Sequence, residues 1–307
     1  MNQEQIAARA SARRGFFYAL GAYGLWGFFP LYFKAMEHVP AMEMVAHRVI
    51  WSVPVALTII AAQRRLDELI SLFQNRRVVV MMSVTALLVS INWGIFIWAI
   101  AVNKTSEAAL GYYINPLITV FLGFALLGEK LNALQKTAVA MALLAVVIRT
   151  IGGGVFPWIA LSLAITFAGY GYIRKTVEVG PTQGFLVEVI LLSPLALAYV
   201  AWLIWTGENH FTFASSDGVW LMAAGLVTAV PLILYAFGAK LLRLATLGLM
   251  QFIAPSLIFL IAFLVFDEVL DFWQGVTFAL IWTALIIYSS SMFGENQTAK
   301  PGFGSAK

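Results

Sequence analysis

The stretch "GYYINPLITVFLGFALLGEKL", residues 111–131, has a second version in "GLMQFIAPSLIFLIAFLVFDEVL", residues 248–270, once a two-residue shift is allowed. Pro116 then falls on Pro255 and Glu129 on Glu268, and each segment runs on into one last apolar stretch. The front ends repeat too. Lys34, Glu37 and Pro40 stand at one constant offset from Lys175, Glu178 and Pro181, and Ser52 and Pro54 have near equivalents in Ser193 and Pro194. The chain reads as two copies of one unit.

What each copy contains follows from composition. The 307 residues are 61% hydrophobic and 11% charged, with a mean hydropathy of +0.87, whereas a soluble domain carries about 25% charge. Apolar windows long enough to cross a hydrocarbon core of roughly 30 Å occur at 15–35, 42–62, 78–102, 105–127, 133–150, 155–173, 182–205, 218–239, 245–266 and 270–292. The expected fold is an all-α polytopic membrane protein of ten transmembrane helices, five in residues 15–150 and five in 155–292, with tails at 1–14 and 293–307. An odd number per copy forces the second to enter the membrane from the opposite side, so the repeats are inverted. Inverted repeats are an architecture of secondary transporters, with a solute site between the halves.

The isoelectric point of about 9.3 and net charge of +4 reflect topology rather than nucleic-acid binding. Arg9, Arg13 and Arg14, then Arg64, Arg65, Arg76 and Arg77, then Lys130, Lys136, Arg174, Lys175, Lys240 and Arg243, and finally Lys300 and Lys307, all fall on one side. The loops "TGENHFTFASSD" and "FDEVLD" on the other side have no Lys or Arg. The positive-inside rule places both termini in the cytoplasm. The first apolar run is too long for a signal-peptide core and reads as a retained helix. With no cysteine there is neither a disulfide nor thiol chemistry. No metal cluster, cofactor motif or Walker loop is evident, and no nucleophile with a positioned base, so the reading is not an enzyme.

The repeated block from proline through an acidic residue to a final apolar helix resembles the EamA domain of the drug/metabolite transporter superfamily. The runs "AHRVIWS" (46–52), "INWGIFIWAIAVN" (91–103) and "ALGYYINPL" (109–117) are similar to its RarD subgroup, named from a chloramphenicol-related phenotype. The resemblance implies a bacterial inner-membrane permease whose cavity is lined by helices one to four and six to nine. It also implies efflux of small solutes, with protons as coupling ion. A homodimer is a further expectation, and a channel or lipid scramblase on the same fold is the alternative.

Polar residues inside apolar spans mark the expected pathway. A charge near mid-bilayer costs roughly 2.5 to 3.5 kcal/mol on insertion scales, so Arg48 needs a partner or water. It lies about six residues, roughly 9 Å, into its helix, and Glu107 enters at similar depth, so an Arg48–Glu107 pair is expected near the outer mouth. In the second copy Glu188 takes the position equivalent to His47, and Lys240 or Arg243 is its expected partner at the inner mouth. Two ion pairs would serve as alternating gates. Glu107, Gly111 and Asn115 at four-residue spacing form a polar stripe, with Tyr112 and Asn115 as solute contacts and Tyr113 behind them. His47 and Trp51 share a face with Arg48, and His47 is a candidate proton carrier. Asn92, Trp93 and Trp98, with Tyr170, Tyr235 and Gln251 in the second copy, would wall a site for a flat amphipathic solute. Glu129 and Glu268 read as structural residues at helix ends.

Overall fold

Pro30 decides the course of the first membrane segment. In the computed structural model, which describes residues 3–127, 131–242 and 250–298, α1 (Gln3–Gly27) stops before Phe28. The short α2 (Phe29–Lys34) then starts afresh with Pro30 in its first turn. Proline has no N–H to donate and its fixed φ suits a helix start. The single span expected over 15–35 is therefore two helices, and α1 begins upstream of residue 15.

The chain continues as α3 (Ala41–Ala62), α4 (Leu66–Gln74), α5 (Arg76–Ala101), α6 (Thr105–Leu127), α7 (Ala133–Ile151) and α8 (Trp158–Thr176). It closes with α9 (Pro181–Thr206), α10 (Ser216–Leu241), α11 (Ile253–Leu264) and α12 (Phe272–Thr298). All regular structure among the described residues is helical. Seven helices are long and apolar enough to cross a membrane, and α11 is a shorter apolar helix. α8 falls outside that set because it carries Tyr170, Tyr172, Arg174 and Lys175. It is sheltered instead against α5 and α6. The sequence reading lacked α4, an amphipathic helix that leaves Ile70 and Phe73 exposed and rests Leu69 and Leu72 on a cluster around Met82 and Val187. Such a helix suits a membrane interface.

The principal helix contacts of one set are mirrored in the other. α3 lies on α9, α7 on α12 and α6 on α11, each helix against its own equivalent. α1 on α10 is matched by α8 on α5, α6 on α8 by α11 on α1, and α3 on α10 by α9 on α5. Two glycines allow close approach: a Cβ at Gly111 would sit 2.8 Å from the Ala160 carbonyl oxygen, and one at Gly225 would collide with the Trp51 carbonyl. Small residues where backbones touch are typical of membrane helix pairs. The outer surface is apolar, with Leu143, Leu195, Ile204, Trp205 and Ile286 exposed, as a lipid solvent requires.

The connections between helices gather at two ends of the bundle. The distal end carries the connections 35–40, 102–104, 152–157, 207–215 and 265–271; the proximal end carries 63–75 and 177–180.

Candidate functional site

Arg48 is the centre of the site. It is 3% exposed, on α3. Its Nε donates to Thr228 Oγ1 of α10 at 3.1 Å. Its Cζ lies 4.2 Å from the ring centroid of Trp93 on α5, 5.4 Å from that of Phe33 and 5.8 Å from that of Phe29. The break at Phe28 is what turns α2 so that both phenylalanines meet the guanidinium. Tyr32 and Tyr112 pack in the same cluster as Phe29, Phe33 and Trp93. A cation over aromatic faces is attracted by the ring quadrupole, more strongly where water is excluded.

The expected Arg48–Glu107 pair is not formed. Glu107 lies instead in a distal recess of about 390 Å³ lined by Lys104, Ser106, Glu268 and Gln274. Equal depth was not enough, because α3 packs on α9 and α10 whereas α6 packs on α8 and α11. Glu107 Oε2 is buried without a hydrogen-bond partner.

Glu188 is 2% exposed and faces Arg174 Nε at 3.9 Å, an ion-pair separation too long for a hydrogen bond. Tyr170 donates to its other oxygen at 3.4 Å. Arg174 rather than Lys240 or Arg243 is thus the partner found; the Lys240 side chain, Arg243 and Glu129 lie outside the described residues. At the constant repeat offset, Tyr170 and Arg174 are the counterparts of Phe29 and Phe33. The same two helix positions therefore supply the partners of Glu188 in the second half and two rings against Arg48 in the first.

The distal end is bridged from one half to the other. Glu268 accepts from the backbone N–H of Thr105 at 2.6 Å and of Ser106 at 2.9 Å, capping α6. Gln274 Nε2 donates to Ser106 Oγ at 3.0 Å. Arg149 Nη1 donates to Asp271 Oδ2 at 2.6 Å. Burial raises the Asp271 carboxyl, but the Gln274 backbone N–H and Arg149 outweigh it and hold the group below the usual carboxylate range. Glu43, fully buried, accepts from His210 N at 2.8 Å and pairs with its Nδ1 at 2.7 Å. His38 meets Asp217 at 3.1 Å, and Tyr32 donates to the Trp220 carbonyl at 2.6 Å. At the proximal end, Gln183 Nε2 donates to Glu68 Oε2 at 2.7 Å. The hydrogen bond from Arg65 lowers the Glu68 carboxyl.

The other expected residues divide. Asn92 donates to the Leu163 carbonyl and to Thr166, both at 2.9 Å, and accepts from Tyr112 at 3.3 Å, so Asn92, Trp93, Tyr112 and Arg48 form one cluster. His47 and Trp51 do not share the Arg48 face. Both pack on Phe211 of the α9–α10 connection, with ring centroids 4.8 and 5.9 Å away. Trp98 is exposed and paired with Trp158 at 5.4 Å; it is turned away from Asn92 and Phe96, as an interfacial aromatic would be. Tyr235 joins Tyr23 and Trp26 in a separate cluster. Gln251 makes no side-chain hydrogen bond among the described residues. The polar stripe is interrupted, because Gly111 is a packing contact and Asn115 Oδ1 is buried without a partner. Tyr113 meets Ser256 at 2.7 Å. Sequence reasoning missed Phe29, Phe33, Thr228, Arg174 and Glu43; of these, only Glu43, a charge inside the apolar run 42–62, carried a readable signal, since Arg174 falls just past the run 155–173 and reads as a topology residue.

Comparison with known proteins bears on what such a site serves. Residues 13–151 match the model of the EamA-like transporter family. An uncharacterized transporter of Vibrio cholerae is 41% identical over 279 residues, covering 91% of this chain and 92% of its own. Protein RarD of Escherichia coli is 39% identical over 290 residues, covering 94% and 98%. The chain belongs to the EamA-like transporter family. Within it the chain is a RarD-like permease, a multi-pass membrane protein of the transporter type. The chloramphenicol-sensitive protein RarD of Pseudomonas aeruginosa is a further EamA relative, 33% identical over 89% of this chain and 93% of its own. A crystal structure at 19% identity superposes with a TM-score of 0.59 over 89% of this chain and 96% of that one, a likeness of fold alone.

Proposed function

We propose that this chain is a secondary transporter of small amphipathic organic solutes, working by alternating access between two inverted five-helix units, residues 15–150 and 155–292, with both termini in the cytoplasm. The observation that carries this reading is the asymmetry of the two ends. The distal end is tied across the units by Glu268, Gln274, Asp271, His210, Asp217 and Trp220 against residues of the first unit. Among the described residues, the proximal end has fewer such ties, from Gln183 to Glu68 and from Arg174 to Met82 Sδ. A rocking carrier holds one mouth shut while the other opens. The gate residues in this reading are the distal bridges and the Arg174–Glu188 pair, with Arg48, Trp93, Asn92 and Tyr112 between them. Protons are the coupling ion considered, and His47 is the candidate carrier.

Metabolite differences between cells with and without the gene supply candidate solutes, and labelled chloramphenicol is a first probe given the name of the Pseudomonas relative. Purified protein in liposomes is expected to give saturable counterflow that unlabelled solute competes away, steepened by an imposed pH gradient. Flux that rises linearly and resists competition would instead make the protein a channel or scramblase.

A further inference from the structure

The two halves treat their buried charge differently, and that difference carries a ligand. Glu188 is answered from within the protein, by Arg174 and Tyr170. Arg48 has phenylalanines at the equivalent positions and a single hydrogen bond, to Thr228. No described carboxylate reaches it. Glu43 is taken by His210, Asp217 by His38, Asp271 by Arg149 and Glu268 by backbone N–H groups, and Glu107 lies in the distal recess. A guanidinium has five N–H donors and no acceptor, so four of those of Arg48 have no described protein acceptor. Thr228 and the Trp93 face hold it in place, as a preorganised fork would be held. Buried charges are otherwise paired.

We infer that Arg48 is the subsite for an anionic group of the transported solute, and that the solute is a planar aromatic monocarboxylate. The carboxylate matches the bidentate fork of arginine. The aromatic part follows from what surrounds the fork: the rings of Trp93, Phe29 and Phe33 lie against it, and Tyr32 and Tyr112 belong to the same cluster, with hydroxyls only on the two tyrosines. The inference rests on the permease reading for the route by which solute reaches Arg48.

The test is binding of tritiated benzoate to the purified protein in detergent, competed by unlabelled benzoate, benzyl alcohol, benzylamine and chloride. The three organic probes share one ring and differ in charge. Benzoate is expected to compete at least about tenfold better than the alcohol or the amine, the scale of a charge-assisted pair. Arg48→Gln is expected to remove that preference, and Arg48→Lys to keep only part of it, since a point charge lacks the fork. Thr228→Val, which leaves the charge and frees Nε, is expected to weaken benzoate by about 3- to 10-fold; it and Arg48→Lys decide the matter if Arg48→Gln does not purify as a monodisperse protein. Absent benzoate binding, equal competition by benzyl alcohol, chloride acting as well as benzoate, or an unchanged preference in Arg48→Gln would each overturn the inference. Benzoate bound selectively without counterflow in liposomes would remove the permease reading and leave the subsite standing. Counterflow of other solutes without benzoate binding would do the reverse.

Discussion

Arg174 and Glu188 show at the scale of single residues why a buried pair is costly to break and cheap to replace. Removing one member leaves an uncompensated charge, which costs about 3–5 kcal/mol, whereas an apolar pair of similar volume is often neutral or stabilising. Arg174→Leu alone is therefore expected to lower the thermal midpoint of the detergent-purified protein sharply, and Arg174→Leu with Glu188→Leu to recover most of it. If the double variant melts as low as the single, the two groups are not coupled. The identity of this pair was half legible. Counting residues from a helix end gave the depth of Arg48 and Glu107, and the repeat offset set Glu188, of opposite sign, beside the position equivalent to Arg48. Depth says nothing about which helices become neighbours, so Arg48 was matched with Glu107 although α3 packs chiefly on α9 and α10, and the phenylalanines that do meet it bore no polar signal.

Among elements, the periodicity of apolar runs located nearly every helix, because lipid leaves a spanning backbone no alternative to internal hydrogen bonding. What it missed were features set by single residues or by the interface: the stop before Pro30, and α4, too short to register as a span. Trp98 was read as inward because its type suits a solute wall; its azimuth, opposite Asn92 and Phe96, places it outside. Glycines test whether helix contacts have been assigned correctly. Gly225 faces the Trp51 carbonyl with no room for a methyl group, whereas nothing lies within 4 Å of a Cβ at Gly94. Gly225→Ala is expected to destabilise by about 1–3 kcal/mol through forced separation of α3 and α10. Gly94→Ala is expected to stabilise by about 0.4–1 kcal/mol, by removing backbone freedom from the unfolded chain. Thermal melts of the two variants in one detergent compare them directly, and equal behaviour would mean that α3 and α10 are not in backbone contact.

For the whole molecule, the distal bridges are proposed to close one mouth, and the absence of cysteine allows that to be tested with one reporter. Ser106 is 6% exposed, beneath Glu268, which holds its backbone N–H, and Gln274, which holds its hydroxyl. A cysteine there would label slowly with a membrane-impermeant maleimide added outside right-side-out vesicles as long as the distal mouth is closed. Glu268 accepts two backbone hydrogen bonds as a charged group, each worth about 1.5–3 kcal/mol, and Glu268→Gln weakens both without changing the size of the side chain. A loss of 1.4 kcal/mol is tenfold in an equilibrium, so Ser106→Cys combined with Glu268→Gln is expected to label at least about tenfold faster than Ser106→Cys alone. Labelling from the outside also follows only if the distal end faces away from the cytoplasm, the orientation proposed from the basic residues of the opposite loops. Fast labelling already in the single variant would mean that the bridges do not close the mouth. Labelling only after the vesicles are opened would reverse the orientation, and with it the assignment of Arg174 and Glu188 to the inner gate.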